Sequence, residues 1–197
     1  MDNTNNSTQY DRIVIDVFVY DQLLEEQKAV MLIYLALQYY RCVNGADGEG
    51  WFRVSYGDIK ERLGTSSDTI THAIRRLHDI QFIDVKRVGK NINYYHITER
   101  VLEQMKYIIL RPLVIEKLFR VPKSALRLYL SLHIFRMEQQ KKGQDPILVT
   151  RDDIRTFVGI ANNTISTSRD ALHEQGLIEY ERSKDGKAPM FYVILEE

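Results

Sequence analysis

Apolar residues recur at helical spacing in two long stretches, Val30, Ile33, Tyr34, Leu37 and Tyr40 in the first and Leu126, Tyr129, Leu130, His133 and Ile134 in the second. This predicts helices over about 26–42 and 122–141, each with one face turned to a core. A polar loop follows each, NGADGEG or KKGQDP, and then a short extended run ending at Val54 or Val149. Ser55 and Thr150 each stand three residues before a carboxylate, Asp58 or Asp153. A hydroxyl there caps a helix, and the carboxylate favours its positive end. Gly64 and Gly159 stop these short helices, and the polar clusters TSSDT and ANNT open third ones. The third helices carry Ile70, Ala73, Ile74, Leu77 and Ile80, or Ile165, Ser168 and Leu172, on their inner faces. Gly176 fits a left-handed helix stop, whereas Gln81 at the equivalent place sacrifices some local preference. Two strand-like runs joined by a Gly-Lys loop close each half: FIDVKRV and INYYHIT, then LIEYERS and PMFYVIL.

The two halves are an internal repeat. An offset of 95 residues carries Tyr34, Leu35 and Leu37 onto Tyr129, Leu130 and Leu132. It also pairs Arg41 with Arg136, Val54 with Val149, Asp58-Ile59 with Asp153-Ile154, and Gly64 with Gly159. Without a gap it reaches Thr69-Ile70 with Thr164-Ile165, Leu77-His78 with Leu172-His173, and Ile83 with Ile178. Beyond that point Gly89-Lys90 matches Gly186-Lys187 and Tyr95 matches Tyr192 at an offset of 97, so two extra residues fall in a loop between strands.

Composition narrows the function. Lys plus Arg and Asp plus Glu both count 27, so attraction to nucleic acid has to come from local clustering of charge. The single cysteine, Cys42, lies in the apolar stretch MLIYLALQYYRCV. It reads as core, and it excludes an internal disulfide framework and a thiolate zinc site. MDNTNNSTQYDR lacks the basic and apolar regions of a signal peptide, and no uncharged apolar run approaches the roughly 18 residues that span a bilayer. The expectation is a cytoplasmic protein, without membrane contact or cofactor, and with a polar disordered leader over 1–11.

Helix, short strand, helix, turn, helix and two-stranded ribbon is the element order of a winged helix. SYGDIKERLGTSSDTITHAIRRLHDIQFIDV resembles the helix-turn-helix and wing of many bacterial regulators, and TRDDIRTFVGIANNTISTSRDALHEQGLIEY resembles it again. The likeness covers about 17–97 and 112–195. Two such domains in one chain resemble the replication initiators of bacterial plasmids, whose domains each set a helix into successive major grooves. The resemblance implies an α+β, mainly α fold of two tandem winged helix-turn-helix domains, 12–97 and 112–197. Residues 98–111 (TERVLEQMKYIILR) would be a connecting helix capped by Thr98, or a linker ending at Pro112. Its apolar side chains should pack between domains or across a dimer interface, and a homodimer through the connector or the long helices is a further expectation.

The resemblance implies sequence-specific binding of double-stranded DNA, in transcription regulation or replication initiation of a plasmid or phage. In that geometry the third helix enters the major groove and the wing meets phosphates. The first copy would present Ser66, Ser67, Thr69, Thr71, His72, Arg75 and Arg76, with Lys86, Arg87, Lys90, Asn91 and Asn93 in the wing. The second would present Asn162, Asn163, Ser166, Thr167 and Arg169, with Arg182, Lys184 and Lys187 in the wing. Hydroxyls bond to either base type or to phosphate, asparagine suits adenine, and arginine takes guanine or phosphate. Asp170 replaces Arg75, and Glu174, Glu179 and Glu181 would repel phosphate, so the first copy is the principal reader.

No enzymatic reading competes. The histidines His72, His78, His96, His133 and His173 never flank one apolar residue as a metal-dependent tyrosine nickase needs, and Tyr39-Tyr40 and Tyr94-Tyr95 fall on core stripes. A Gly-rich loop with Lys-Ser or Lys-Thr is absent. Asp152-Asp153 stands at a helix start, where carboxylates cap. His78 and His173 occupy equivalent positions and read as packing. The alternative to DNA binding is a winged-helix module that recruits partner proteins, which zero net charge favours.

Overall fold

The computed structural model describes residues 12–88, 92–98, 106–140, 146–182 and 190–195. The chain is a mixture of helices and small antiparallel sheets, and it divides into two compact units, 1–115 and 116–197. The first contains β1 (Ile13–Asp16), α1 (Val17–Glu25), α2 (Lys28–Asn44), β2 (Trp51–Val54), α3 (Tyr56–Leu63), α4 (Ser67–Asp79), β3 (Ile83–Val88), β4 (Ile92–Ile97) and β5 (Tyr107–Leu110). The boundary falls within α5 (Pro112–Leu118). The second unit continues with α6 (Lys123–Gln140), β6 (Ile147–Val149), α7 (Arg151–Val158), α8 (Asn162–Glu174), β7 (Ile178–Arg182) and β8 (Met190–Ile194).

Each unit is organised around its long helix. Val30, Ile33, Tyr34, Leu37 and Tyr40 of α2 are buried as the stripe requires, and so are Met31, Leu35, Ala36, Tyr39 and Cys42. In α6 every residue from Leu128 to Ile134 is buried. Other elements therefore enclose these helices on several sides, and their apolar faces are occupied within their own units. That removes the long helices as the homodimer surface expected above.

The three-stranded sheets share one register. β4 lies between β2 and β3 with Tyr95 opposite Phe52 and Val85, and β8 lies between β6 and β7 with Tyr192 opposite Ile147 and Tyr180. Both central tyrosines are fully buried. Burial pushes both phenols upward, that of Tyr192 to about 12.

The helix boundaries follow local chemistry. Ser55 and Asp58 form a reciprocal capping box on α3, and Thr150 and Asp153 form one on α7. The bonds from Thr150 hold the Asp153 carboxyl below its ordinary range. Gly64 and Gly159 adopt the left-handed conformation after these helices. α8 departs from expectation: its N-cap is Ala161, with no side-chain cap, and the two asparagines lie inside its first turn.

α4 and α8 end alike. The Phe82 and Gln81 amides donate to the Leu77 and His78 carbonyls, and those of Leu177 and Gly176 donate to Leu172 and His173. This is the Schellman arrangement, which requires a left-handed residue. Gly176 supplies it at φ 63°, and Gln81 is forced to φ 61°.

The described end of the connector differs from the expected helix or linker. Residues 107–110 form strand β5, antiparallel to β1, with Ile108 and Leu110 buried and Tyr107 and Ile109 outward. Alternation of buried and exposed side chains makes this segment a strand with one covered face. Val101, Leu102 and Met105 lie outside the described residues. The repeat offset also extends further upstream than the winged-helix resemblance. Ile13, Val14, Ile15, Val19 and Leu23 map onto Ile108, Ile109, Leu110, Val114 and Leu118, and each pair shares its burial. Val14 and Ile109, equivalent by that offset, stand opposite each other in the ribbon.

One equivalent pair has diverged in a way that matters for stability. Gln38 of α2 donates to the Tyr34 hydroxyl at 3.0 Å and to the Val14 carbonyl at 3.3 Å. Its counterpart His133 is buried against Tyr129, with Nε2 lacking a hydrogen-bond partner in the structure. Burial, aided by Arg136, lowers its pKa to about 4.

Gln81→Gly should stabilise the protein by about 0.5–1 kcal/mol by relieving the left-handed conformation, whereas Gly176→Gln, which has open space for its Cβ, should destabilise it by about 1 kcal/mol. Urea unfolding of both variants checks the opposite signs. His133 stays neutral when folded but protonates readily when unfolded. Its contribution is therefore complete above about pH 6.5 and is lost as pH falls toward 4, by on the order of 3 kcal/mol. His133→Gln should flatten stability across that window, and an unchanged pH profile would refute the assignment.

Candidate nucleic-acid interface

α3, the Gly64 turn and α4 place one helix on the surface of the first unit. Ser66 caps α4: its Oγ accepts from the Thr69 amide at 3.1 Å and lies 2.8 Å from the Thr69 hydroxyl. Ile70, Ala73, Ile74 and Leu77 are buried. The residues opposite that face by helical rotation, Asp68, His72, Arg75 and Asp79, are exposed. Arg75 thus stands on the outward ridge as expected. The two carboxylates on the same ridge were missed by a reading that sought donors alone.

The hydroxyls are less free than their sequence implies. The Thr71 hydroxyl donates back to the Ser67 carbonyl at 2.9 Å, leaving its oxygen lone pairs for an outside donor. Ser67 is exposed. In the ribbon, Lys86 and Arg87 of β3 are exposed, and half-buried Asn93 of β4 donates to the Tyr95 hydroxyl at 3.2 Å. Asn93 therefore supports the sheet interior. Lys90 and Asn91 lie outside the described residues.

Arg76 occupies the flank of α4 with Thr69 and His72. These residues line a cavity of about 650 Å³ together with Glu26 and Gln27 from the α1–α2 turn and Val30 from the start of α2. The Arg76 guanidinium is held there by Glu26. Its Nε donates to Oε2 at 2.9 Å and to Oε1 at 3.0 Å, and its Nη2 donates to Oε1 at 2.5 Å. The pair moves the Glu26 carboxyl below its ordinary pKa and the guanidinium above its own. Half of the Arg76 side chain remains exposed, against 16% for Glu26. Glu26 is separated from Arg76 by 50 residues, so no local pattern announced it.

In the second unit, Asn162, Asn163 and Thr167 are exposed on α8 and Ser166 is half-buried. Asn163 turns its Oδ1 to the Thr164 amide at 2.9 Å, and Thr167 donates to the Thr164 carbonyl at 3.1 Å. Arg169 does not join them. Its side chain is 5% exposed, bonded to Asp170 Oδ1 through Nε at 2.8 Å and Nη2 at 2.6 Å, with its guanidinium carbon 4.2 Å from the centre of the Tyr180 ring. Tyr180 donates to the same carboxylate at 3.1 Å. The expectation of Arg169 as a surface reader is corrected: it is a buried, stacked cation. The repeat held the signal, since Arg169 stands at the position of Ile74, on the inner face. Arg182 ends β7, and its side chain, like Lys184 and Lys187, lies outside the described residues.

Among the described residues no group of three or more His, Cys, Asp or Glu side chains could hold a metal ion, and no helix is long and apolar enough to cross a membrane. Comparison of the chain with protein-family models, with curated proteins and with solved structures found no match.

Arg169→Ala should destabilise the second unit by about 2 kcal/mol, because it strips a buried stem and leaves Asp170 and Tyr180 without their shared partner. Arg75→Ala on the exposed ridge should stay within about 0.5 kcal/mol. Thermal unfolding of the two variants distinguishes an interior arginine from a surface one, and equal shifts would contradict the contrast.

Proposed function

We propose that the protein is a non-enzymatic, sequence-specific binder of double-stranded DNA, built from two tandem winged helix-turn-helix domains and acting in transcription regulation or replication initiation. The observation that supports this most is the recurrence, at one offset, of a capped short helix, a left-handed glycine and a second surface helix, closed by sheets of identical register. That arrangement puts a helix of groove-filling size beside a ribbon, and the ribbon contacts the backbone while the helix reads bases.

The first unit is the principal reader. Arg75 and His72 on the ridge of α4 and Lys86 and Arg87 on β3 are among its exposed donors. Asp68 and Asp79 on the same ridge oppose phosphate and restrict binding to sequences whose bases satisfy those donors. The burial of Arg169 favours a different use of the second unit. Among its described residues α8 exposes Asn162, Asn163 and Thr167 near its start and no arginine or lysine, which suits a weak adenine-reading contact or the recruitment of a partner protein. A homodimer would use the outward apolar residues of the β1–β5 ribbon, Val14, Tyr107 and Ile109.

Selection of bound sequences from a random duplex pool tests the reading. An enriched motif supports it, and the absence of any enrichment at low salt would favour the protein-recruiting module instead. With a selected duplex in hand, Arg75→Ala should weaken binding. If the lost contact is to phosphate, it should lower the salt slope by about one on selected and random duplex alike. If it is to a base, the loss should be roughly 1–3 kcal/mol on the selected duplex alone.

A further inference from the structure

Glu26 and Arg76 form a bidentate pair at the rim of the proposed DNA-reading helix, and the edge of the guanidinium that Glu26 uses has consequences for recognition. A guanidinium carries five N–H donors: one on Nε and two on each terminal nitrogen. Glu26 takes the side edge, Nε and one hydrogen of Nη2, and takes nothing from Nη1. The end edge, one hydrogen from each terminal nitrogen, is the pair that spans O6 and N7 of guanine in the major groove. Half of the Arg76 side chain is exposed while its carboxylate partner is largely covered, so solvent or a ligand meets the arginine first.

We infer, resting on the DNA-binding reading above, that Glu26 is a positioning residue that presents the end edge of Arg76 to a guanine. Two physical effects separate this role from a simple phosphate grip. The adjacent carboxylate cancels most of the net charge that a phosphate would feel, while the two N–H donors of the end edge persist. The two-point hold also fixes the direction of a side chain that is otherwise rotationally free, and direction matters for a base edge far more than for a phosphate. The pair therefore adds discrimination and little general affinity.

The second repeat supports a specific role. The positions equivalent to Glu26 and Arg76 are Val121 and Ala171, so both partners are absent there together. A guanine read by Arg76 should accordingly appear in the part of the target bound by the first unit and have no counterpart in the part bound by the second.

The test uses the full chain, with duplexes selected from a random pool and a random duplex of equal length. Glu26→Gln should weaken binding to the selected duplex roughly tenfold and leave the random duplex unchanged or slightly tighter. Arg76→Gln should show the same tenfold loss on the selected duplex and a slight weakening on the random one, because it leaves the Glu26 carboxylate unpaired, and the double variant should be no weaker than Arg76→Gln alone, because Glu26 acts through that arginine. Repeating the selection with Glu26→Gln should relax one G·C position. Tighter binding of Glu26→Gln to both duplexes with a steeper salt dependence would overturn the inference and make Glu26 a competitor of phosphate. Equal affinities of wild type and Glu26→Gln on both duplexes would overturn it as well. A wild-type protein with no duplex preference would remove the DNA reading itself, and this inference with it. Should Glu26→Gln fail to fold by thermal unfolding, Arg76→Lys carries the test, since it keeps the charge and loses the paired edges. The same selective tenfold loss is expected, and full retention of selected-duplex affinity would refute the role.

Discussion

The central strand of each three-stranded sheet holds both ends of the helical pair that the sheet frames. In the first unit β2 leads into α3 and β3 follows α4, and the two strands never touch each other. Each pairs with β4, where fully buried Tyr95 stands opposite Phe52 on one side and Val85 on the other. β8 does the same with Tyr192, Ile147 and Tyr180. A chain that enters and leaves through neighbours of one strand has its two short helices fixed at both ends, so the outward side of the second helix is set by the sheet and by the left-handed glycine between the helices. Burying a phenol at that point requires care for its hydroxyl. Asn93 donates to the oxygen of Tyr95, and the Tyr192 hydroxyl donates to the Met190 sulfur.

The same frame carries different electrostatics in its two copies. A chain with balanced charge attracts nucleic acid only through the local placement of its cations, and three arginines expected to act alike have three environments. Arg75 is exposed on the ridge, Arg76 is clasped by a carboxylate, and Arg169 is stacked in the interior. An arginine counts toward binding according to which of its edges meets solvent, and that is decided by residues far away in sequence.

Much of the architecture was legible because its signals are local. The reciprocal hydroxyl and carboxylate three residues apart, the glycines at helix stops and the periodic stripes set the boundaries of α3, α4, α7 and α8 nearly to the residue. The long helices begin at Lys28 and Lys123, within two residues of expectation. The β1–β5 ribbon was not legible: its strands are four residues each, lie far apart in the chain, and β5 is embedded in a segment whose apolar residues fit a helix equally well. In the candidate site the ridge position of Arg75 followed from helical rotation alone, while the Glu26–Arg76 pair depended on the fold bringing the α1–α2 turn to α4. Arg169 is a different kind of miss. Arginine was taken as outward by its chemistry, although the repeat placed it on a position that buries isoleucine in the other copy.

That misplaced arginine marks how the two units differ. Replacing an interior apolar residue by a guanidinium is tolerable only if its charge and donors are met on the spot, since an unpaired buried cation is strongly unfavourable. The second copy changes neighbouring positions accordingly: Asp170 stands where the first has Arg75, and Tyr180 where it has Val85. The carboxylate accepts two bonds from the buried guanidinium, and the tyrosine ring covers its face while its hydroxyl completes the carboxylate's shell. These changes are physically coupled, because Arg169 without Asp170 would be an unmatched charge in the interior. Together they withdraw the ridge cation and bury its replacement, with Ala171 already lacking the charge of Arg76. α8 thereby keeps the backbone placement of α4 while exposing no arginine or lysine. On the DNA-binding reading proposed above, contacts of α8 would be made through asparagine and hydroxyl groups, whose bonds are short-ranged and insensitive to salt.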